Sequence, residues 1–332
     1  MPVSTGYVLF VAGLSASLVG IVRRIAVAHG VIDRPTHRSS HRTPTPRGGG
    51  LGVTVAIVIA FVGLDAPMGD PAVLAGIVGC VAVAAVGWFD DRRGLSIRIR
   101  LIVHALSGIA VATLSLGSAV PAALTIAVFV WWTFWTISSI NLVNFMDGIN
   151  GLVASQVAVF AASLTLFGQE SSIASRYPAA IAAACLGFLP WNFPRARIFL
   201  GDVGSGALGF LVPFAALLVM REGDINLIQA HLPLLPLFGD ATVTIVRRWS
   251  RGETLTQPHR SHLYQRLANG GWGHTKVTLL FASASVVGAI VAHVERRGSS
   301  QLLIGLYVLA LIVLGASLER RLHPAALRIA GE

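Results

Sequence analysis

The sequence predicts an all-α, polytopic membrane domain, and three observations lead there. Hydrophobic residues make up 54% of the 332 positions and charged residues only 12%, against about 25% charged in a soluble domain. Apolar runs near the roughly 20 residues that cross a bilayer as a helix recur along the whole length. Polar, arginine-rich punctuation separates them, and no stretch is left over for a soluble domain.

The runs lie at 3–22, 49–64, 72–89, 101–116, 122–140, 151–167, 177–190, 205–220, 232–246, 277–294 and 302–318. That gives about eleven transmembrane helices, or ten if the short run 177–190 is not a span. The first run has no basic segment ahead of it, which fits a retained span better than a cleaved signal peptide. Cys80 and Cys185 sit inside apolar runs without the paired spacing of a disulfide framework or zinc site, and read as packing residues.

Arginine sets the orientation. All 25 basic residues except Lys276 are arginine, and only Arg176, Arg221, Arg296 and Arg297 fall on one side of the alternating spans. The remaining 21 fall on the other, which places that side in the cytoplasm, the N-terminus outside and the C-terminus inside. In such a chain the net charge of +10 belongs to loops facing anionic lipid headgroups rather than to nucleic acid. The domain is therefore one membrane unit over 1–332 with inner loops at about 28–48, 90–100, 141–151, 190–204 and 247–276.

Those inner loops carry the chemistry. In 28–48, Asp33 and Arg34 precede a basic run of histidine, serine and threonine that ends Arg47-Gly48-Gly49-Gly50. Glycines let backbone N–H groups approach an anion and Arg47 suits a phosphate, although a basic loop lying on lipid has the same composition. Asp90 and Asp91 close the third span before Arg92, Arg93, Arg98 and Arg100. Adjacent helical residues diverge by about 100°, so one carboxylate is expected to face a site and the other to form a structural ion pair.

Asn141, Asn144, Asp147 and Asn150 recur every three residues. If helical, the first three fall within a wedge of about 120°; the plainer reading is a polar turn at helix ends. In 190–204, Asn192, Arg195, Arg197, Phe199 and Asp202 lead into Gly201-Asp202-Val203-Gly204-Ser205-Gly206. A helix starting there would offer free N–H groups to phosphates, with Asp202 giving an oxygen to Mg²⁺; small residues also serve close helix packing. Asp240 lies within the ninth span and needs a partner or a water-filled cavity. In 247–276, His259 and His262 have i,i+3 spacing around Arg260, suited to a metal or phosphate and equally common on a basic surface.

Taken together, HRTPTPRGGG, DDRRGLSIR, NLVNFMDGINGL, NFPRARIFLGDVGS and PHRSHLYQRL occur, in that order, from about Asp33 to Arg266. The chain thereby resembles the polyprenyl-phosphate N-acetylhexosamine-1-phosphate transferases of the glycosyl transferase family 4 type. The last segment is closer to the branch that starts O-antigen and other surface glycans than to the peptidoglycan branch. The resemblance implies transfer of a sugar 1-phosphate from a UDP-N-acetylhexosamine to undecaprenyl phosphate, leaving UMP, at the cytoplasmic face of a bacterial inner membrane. It implies Mg²⁺, with Mn²⁺ as a substitute, held by Asp202 and Asp91. Asp90, Asp91 and Asp202 would be catalytic, with Asp90 nearest the acceptor phosphate.

On the same resemblance Asn144, Asp147 and Asn150 lie on the nucleotide side, Asn192 and Phe199 hold and stack the uracil, and His259, Arg260, His262 and Arg47 bind donor phosphate or sugar. Asn150 stands where many members carry a second aspartate, and Arg260-Ser261 replaces histidine. A homodimer is left open. The rival reading from another class is a lipid-intermediate transporter using Asp240 as a proton relay; a phospho-MurNAc-pentapeptide transferase is the rival within the family.

Overall fold

The computed structural model describes residues 3–35, 43–63, 70–116, 121–168, 172–222, 225–255, 257, 259–297 and 301–329. The histidine-and-serine run 36–42 and the connections 64–69 and 117–120 lie outside the described residues. Each of the eleven apolar runs falls on a helix: α1 (Thr5–Ala28), α2 (Gly50–Gly63), α3 (Pro71–Arg93), α4 (Ile97–Ser115), α5 (Thr125–Phe145), α6 (Leu152–Thr165), α7 (Ile173–Asn192), α8 (Asp202–Arg221), α10 (Leu235–Ser250), α12 (Gly273–Arg297) and α13 (Leu302–Ile329). Two short helices, α9 (Leu227–His231) and α11 (Leu263–Leu267), were not expected. Nor was a two-residue antiparallel pairing of β1 (Ile32–Asp33) with β2 (Thr45–Pro46).

Among the described residues eight helices are long and apolar enough to cross a membrane, α7 one of them. The 177–190 run is thus part of a full span, which begins at Ile173 and runs through Pro178 and Pro190. By contrast, α2 and α6 have 14 residues each and α10 has 16, so each covers less than a bilayer core. Bulky residues such as Leu9, Phe10, Ile102, Ile126, Phe134, Leu309 and Ile312 point outward. In lipid that exposure costs nothing, and the chain is a multi-pass membrane protein.

Burial identifies the middle of the bundle. Of the apolar window of α8, 94% is buried, against 11% for that of α13, so α8 is the axis around which α3, α5, α2 and α7 pack. Small residues allow this. Phe210 and Phe214 lie over Gly79 and Gly76 of α3, and Ser139 Oγ of α5 donates to the Gly209 carbonyl at 2.7 Å. At the site end α2 and α8 meet backbone to backbone: a Cβ on Gly50 would stand 2.2 Å from Gly204 Cα. Gly50→Val is therefore expected to force the two helices apart and cost about 1–3 kcal/mol or more, read as a lowered unfolding temperature of the detergent-purified protein.

The polar connections meet at one end of the bundle: Arg47 reaches Asp91 and Asp202, Asn144 takes Ser205, and Tyr264 reaches the Phe145 carbonyl. Asp70 caps α3 through the Ala72 N–H with Pro71 in the first turn, and Gly94 at φ 64° stops it just past the acidic pair. Ser96 then caps α4. These local signals fix where Asp90 and Asp91 emerge.

Candidate active site

The loop between α1 and α2 is drawn in by backbone pairing. Phe199 N–H donates to the Pro46 carbonyl, Gly49 N–H to the Phe199 carbonyl and Gly50 N–H to the Leu200 carbonyl, each at 2.8 Å. This seam lays Arg47 alongside the 199–202 segment, where one guanidinium nitrogen reaches Asp91 Oδ1 and Asp202 Oδ1, both at 2.7 Å. Gly201 makes the turn at φ 77°, and a side chain there would meet Asp91 Oδ2 at 2.7 Å. Burial works against the Arg47 charge, but Asp202, Asp91, Asp33 and Asp147 outweigh it and hold the guanidinium more firmly protonated than usual.

The two members of the acidic pair take different partners, although the Asp90 side chain also bears on that of Asp202. Asp90 accepts from the Leu95 N–H at 2.6 Å and from Arg100 at 2.5 Å, tying the α3–α4 turn. Asp91 faces Arg47 and accepts from the backbone N–H groups of Asp202 and Val203. The expected free N-terminus of α8 is thereby corrected. Asp91 caps it from another helix, and the next two N–H groups, of Gly204 and Ser205, turn back to the Gly201 carbonyl. A carboxylate already sits where a phosphate was expected.

The asparagine-rich segment is also corrected. Its helix, α5, ends at Phe145, so Asn141, Asn144 and Asp147 do not share one helical wedge. Asn141 donates to the Ile137 carbonyl of its own helix, while Asn144 Oδ1 accepts from Ser205 Oγ of α8 at 3.2 Å. Asp147 leaves the turn that follows. Burial pushes its carboxyl up to about 7, opposed by Arg47 and reinforced by Asp202 and Asp91, which places it in the same electrostatic cluster.

Two other amides serve the scaffold. Asn192 is buried, its Oδ1 accepting from the Gly151 N–H at 2.6 Å and its Nδ2 donating to the Ile198 carbonyl at 2.9 Å. Asn150 donates to the Pro194 carbonyl, and its own carbonyl accepts from Thr278. Both fasten the 190–204 loop to the 146–151 turn, so each acts through backbone. Phe199 is half-buried beside Arg47 in the parallel bridge that joins them.

The histidine loop joins from α10 and α12. His262 is buried, its Nδ1 3.8 Å from Asp240; His259 is half-buried, its Nδ1 accepting from Ser261 Oγ at 2.8 Å. Burial, with His262 and Arg248, pulls His259 down to about 4, so at neutral pH it is an uncharged donor and acceptor. Arg260 is half-buried in the same loop. Tyr264, which sequence reasoning did not single out, donates to the Phe145 carbonyl at 3.0 Å and lies over Gly148. Ser205 was also missed; its position three residues after Asp202, one helical turn on, is the signal that could have found it.

Among the described residues no three His, Cys, Asp or Glu side chains form a ready metal cage. Mg²⁺ does not need one, since it takes one or two carboxylates and completes its shell with water and substrate phosphates. Asp91 and Asp202, which already converge on one cationic group, fit that demand.

Comparison with known proteins gives the family. The glycosyl transferase family 4 model matches residues 73–220. A decaprenyl-phosphate N-acetylglucosaminephosphotransferase of Mycobacterium tuberculosis is 30% identical over 82% of this chain and 78% of its own length. Undecaprenyl-phosphate alpha-N-acetylglucosaminyl 1-phosphate transferases of Salmonella typhi and Yersinia pestis are 26% and 24% identical, covering 90% and 94% of this chain and 87% and 90% of theirs. The acidic pair, the asparagine-rich turn and Asp202 all lie inside the matched stretch, and the chain belongs to glycosyl transferase family 4.

Proposed function

We propose that the protein transfers N-acetylhexosamine 1-phosphate from a UDP-sugar to undecaprenyl phosphate, at the cytoplasmic face of a bacterial inner membrane, to begin a surface polysaccharide. The observation that carries this reading is the single guanidinium of Arg47 bridging Asp91 and Asp202 at the loop end of an apolar bundle. A clustered set of carboxylates at a membrane surface calls for cations, and two phosphate-bearing substrates bring the opposite need. The relatives' names point to N-acetylglucosamine as the sugar.

In the reaction a phosphate oxygen of the lipid acceptor attacks the β-phosphorus of the donor. A new P–O bond forms, the bond to the α-phosphate oxygen breaks, and UMP leaves with that electron pair. An acceptor phosphate with a second pKa near 6 is largely ionised at pH 7, so the demand on the protein is charge compensation and alignment. Mg²⁺ held by Asp202 and Asp91 would neutralise developing charge on the phosphates. Arg47 screens the approach of the two anions, and Asp90, locked to Arg100, sets the acceptor side. Asn144, Asp147 and Phe199 would lie on the nucleotide side, where Asn150 and Asn192 fasten the 190–204 loop to the 146–151 turn. His259, Arg260 and His262 close the donor side.

The test is reconstitution of the purified protein with undecaprenyl phosphate, Mg²⁺ and a panel of UDP-N-acetyl sugars. UMP release and a lipid diphosphate sugar are expected with at least one donor, UDP-N-acetylglucosamine first. EDTA should abolish both, and Mn²⁺ should restore part of the rate. No UMP with any donor would refute the transferase reading, and turnover that survives EDTA would remove the cation site.

A further inference from the structure

Asp240 is a carboxylate inside an apolar helix, an arrangement that is costly unless both oxygens are satisfied. They are. Oδ1 accepts from the Leu263 N–H at 2.8 Å and from Thr244 Oγ1 at 3.2 Å, and Oδ2 accepts from the Tyr264 N–H at 2.9 Å. These two N–H groups open α11, whose own N-cap residue, His262, gives it no side-chain bond. The cap of α11 is thus supplied from α10, across 23 and 24 residues of sequence.

The side chains of this small helix are fastened as well. Tyr264 is fully buried and reaches the Phe145 carbonyl at the edge of the Asp147 turn. Arg266 pairs with Glu319 of α13, which also takes Arg247 of α10 at 2.9 Å. Between these ties the His262 ring is held 3.8 Å from Asp240 by its Nδ1, 5.7 Å from the Tyr264 ring and 4.9 Å from the His259 ring. Filled oxygens also leave Asp240 poorly placed to relay protons, which removes the feature that favoured a transporter.

We infer that Asp240 is a positioning residue, which sets the His259–His262 loop against the Asp147 turn by capping α11. The inference rests on the proposed transferase activity for its kinetic readout. Loss of charge-assisted hydrogen bonds of this kind corresponds to roughly 10- to 100-fold in an equilibrium, so Asp240→Asn should lower kcat/KM for the donor on that scale. Because Asp240 acts through the loop that carries His262, the loss in the double variant D240N/H262A should be clearly smaller than the product of the single losses, whereas independent effects would multiply.

Tyr264→Phe removes only the hydroxyl tie and should show the same non-additivity with H262A, which keeps the test decisive if D240N folds poorly. Hydrogen exchange supplies a readout independent of turnover. The Leu263 and Tyr264 amides should lose protection in D240N, while those of 206–210 in α8 keep theirs. Multiplicative losses, wild-type activity in D240N, or unchanged exchange at 263–264 would overturn the inference. An inactive wild-type protein would instead refute the transferase reading, and the exchange measurement would still decide whether Asp240 fixes the loop.

Discussion

Asp202→Asn is expected to reduce kcat by roughly two orders of magnitude or more, the scale on which removing one electrostatic stabiliser slows an enzyme, while leaving the unfolding temperature nearly unchanged. The reason for the second half lies in which carboxylate holds the backbone. Asp202 stands at the first position of α8, yet its side chain receives Arg47, and the helix start is capped by Asp91. An asparagine at 202 keeps the shape and can still accept from Arg47, so α8 loses no backbone partner. Asp91→Asn is different, because its second oxygen would be replaced by an amide donor facing the N–H groups of Asp202 and Val203. That variant should lose both activity and stability. UMP-release kinetics beside thermal unfolding in detergent separate the two outcomes, and full turnover in D202N would end the assignment of Asp202 to the chemistry.

Much of this arrangement was legible from composition alone. Eleven apolar runs mark eleven helices because a helix in lipid must satisfy its own backbone, which leaves length and hydropathy as the governing signals. The convergence of the polar loops at one end follows from simple alternation of spans. What stayed hidden depends on partners far away in sequence. The Asn141–Asn144–Asp147 spacing fits a helix, but α5 ends at Phe145 and Asn144 turns to Ser205 of α8. The start of α8 looked open because its cap, Asp91, comes from 112 residues earlier. Asn192 and Asn150 looked like ligand-facing amides, since residue type cannot tell an amide bound to a base from one bound to a carbonyl. Asp240 was conspicuous by chemistry and unreadable by role until the two N–H groups it caps were seen.

Arg47 gives the second large effect, and its sign is informative. Its guanidinium stands between the two carboxylates proposed for the divalent cation, 2.7 Å from each. Two cations cannot hold the same pair of oxygens at full strength, so in the absence of substrate Arg47 competes with the metal. Arg47→Met should therefore tighten Mn²⁺ binding to the substrate-free protein by about tenfold or more, the worth of one screened charge contact, as measured by the loss of free Mn²⁺ signal in electron paramagnetic resonance. The same variant should raise the donor KM and lower kcat/KM, because a guanidinium that yields Asp91 and Asp202 to a metal is free to turn to the donor diphosphate. Arg47→Lys, which keeps the charge but not the planar fork, should fall between. If Mn²⁺ instead binds more weakly to the methionine variant, Arg47 organises the site rather than competing for it. If Mn²⁺ binds neither protein, the Asp91–Asp202 pair is not a cation site at all.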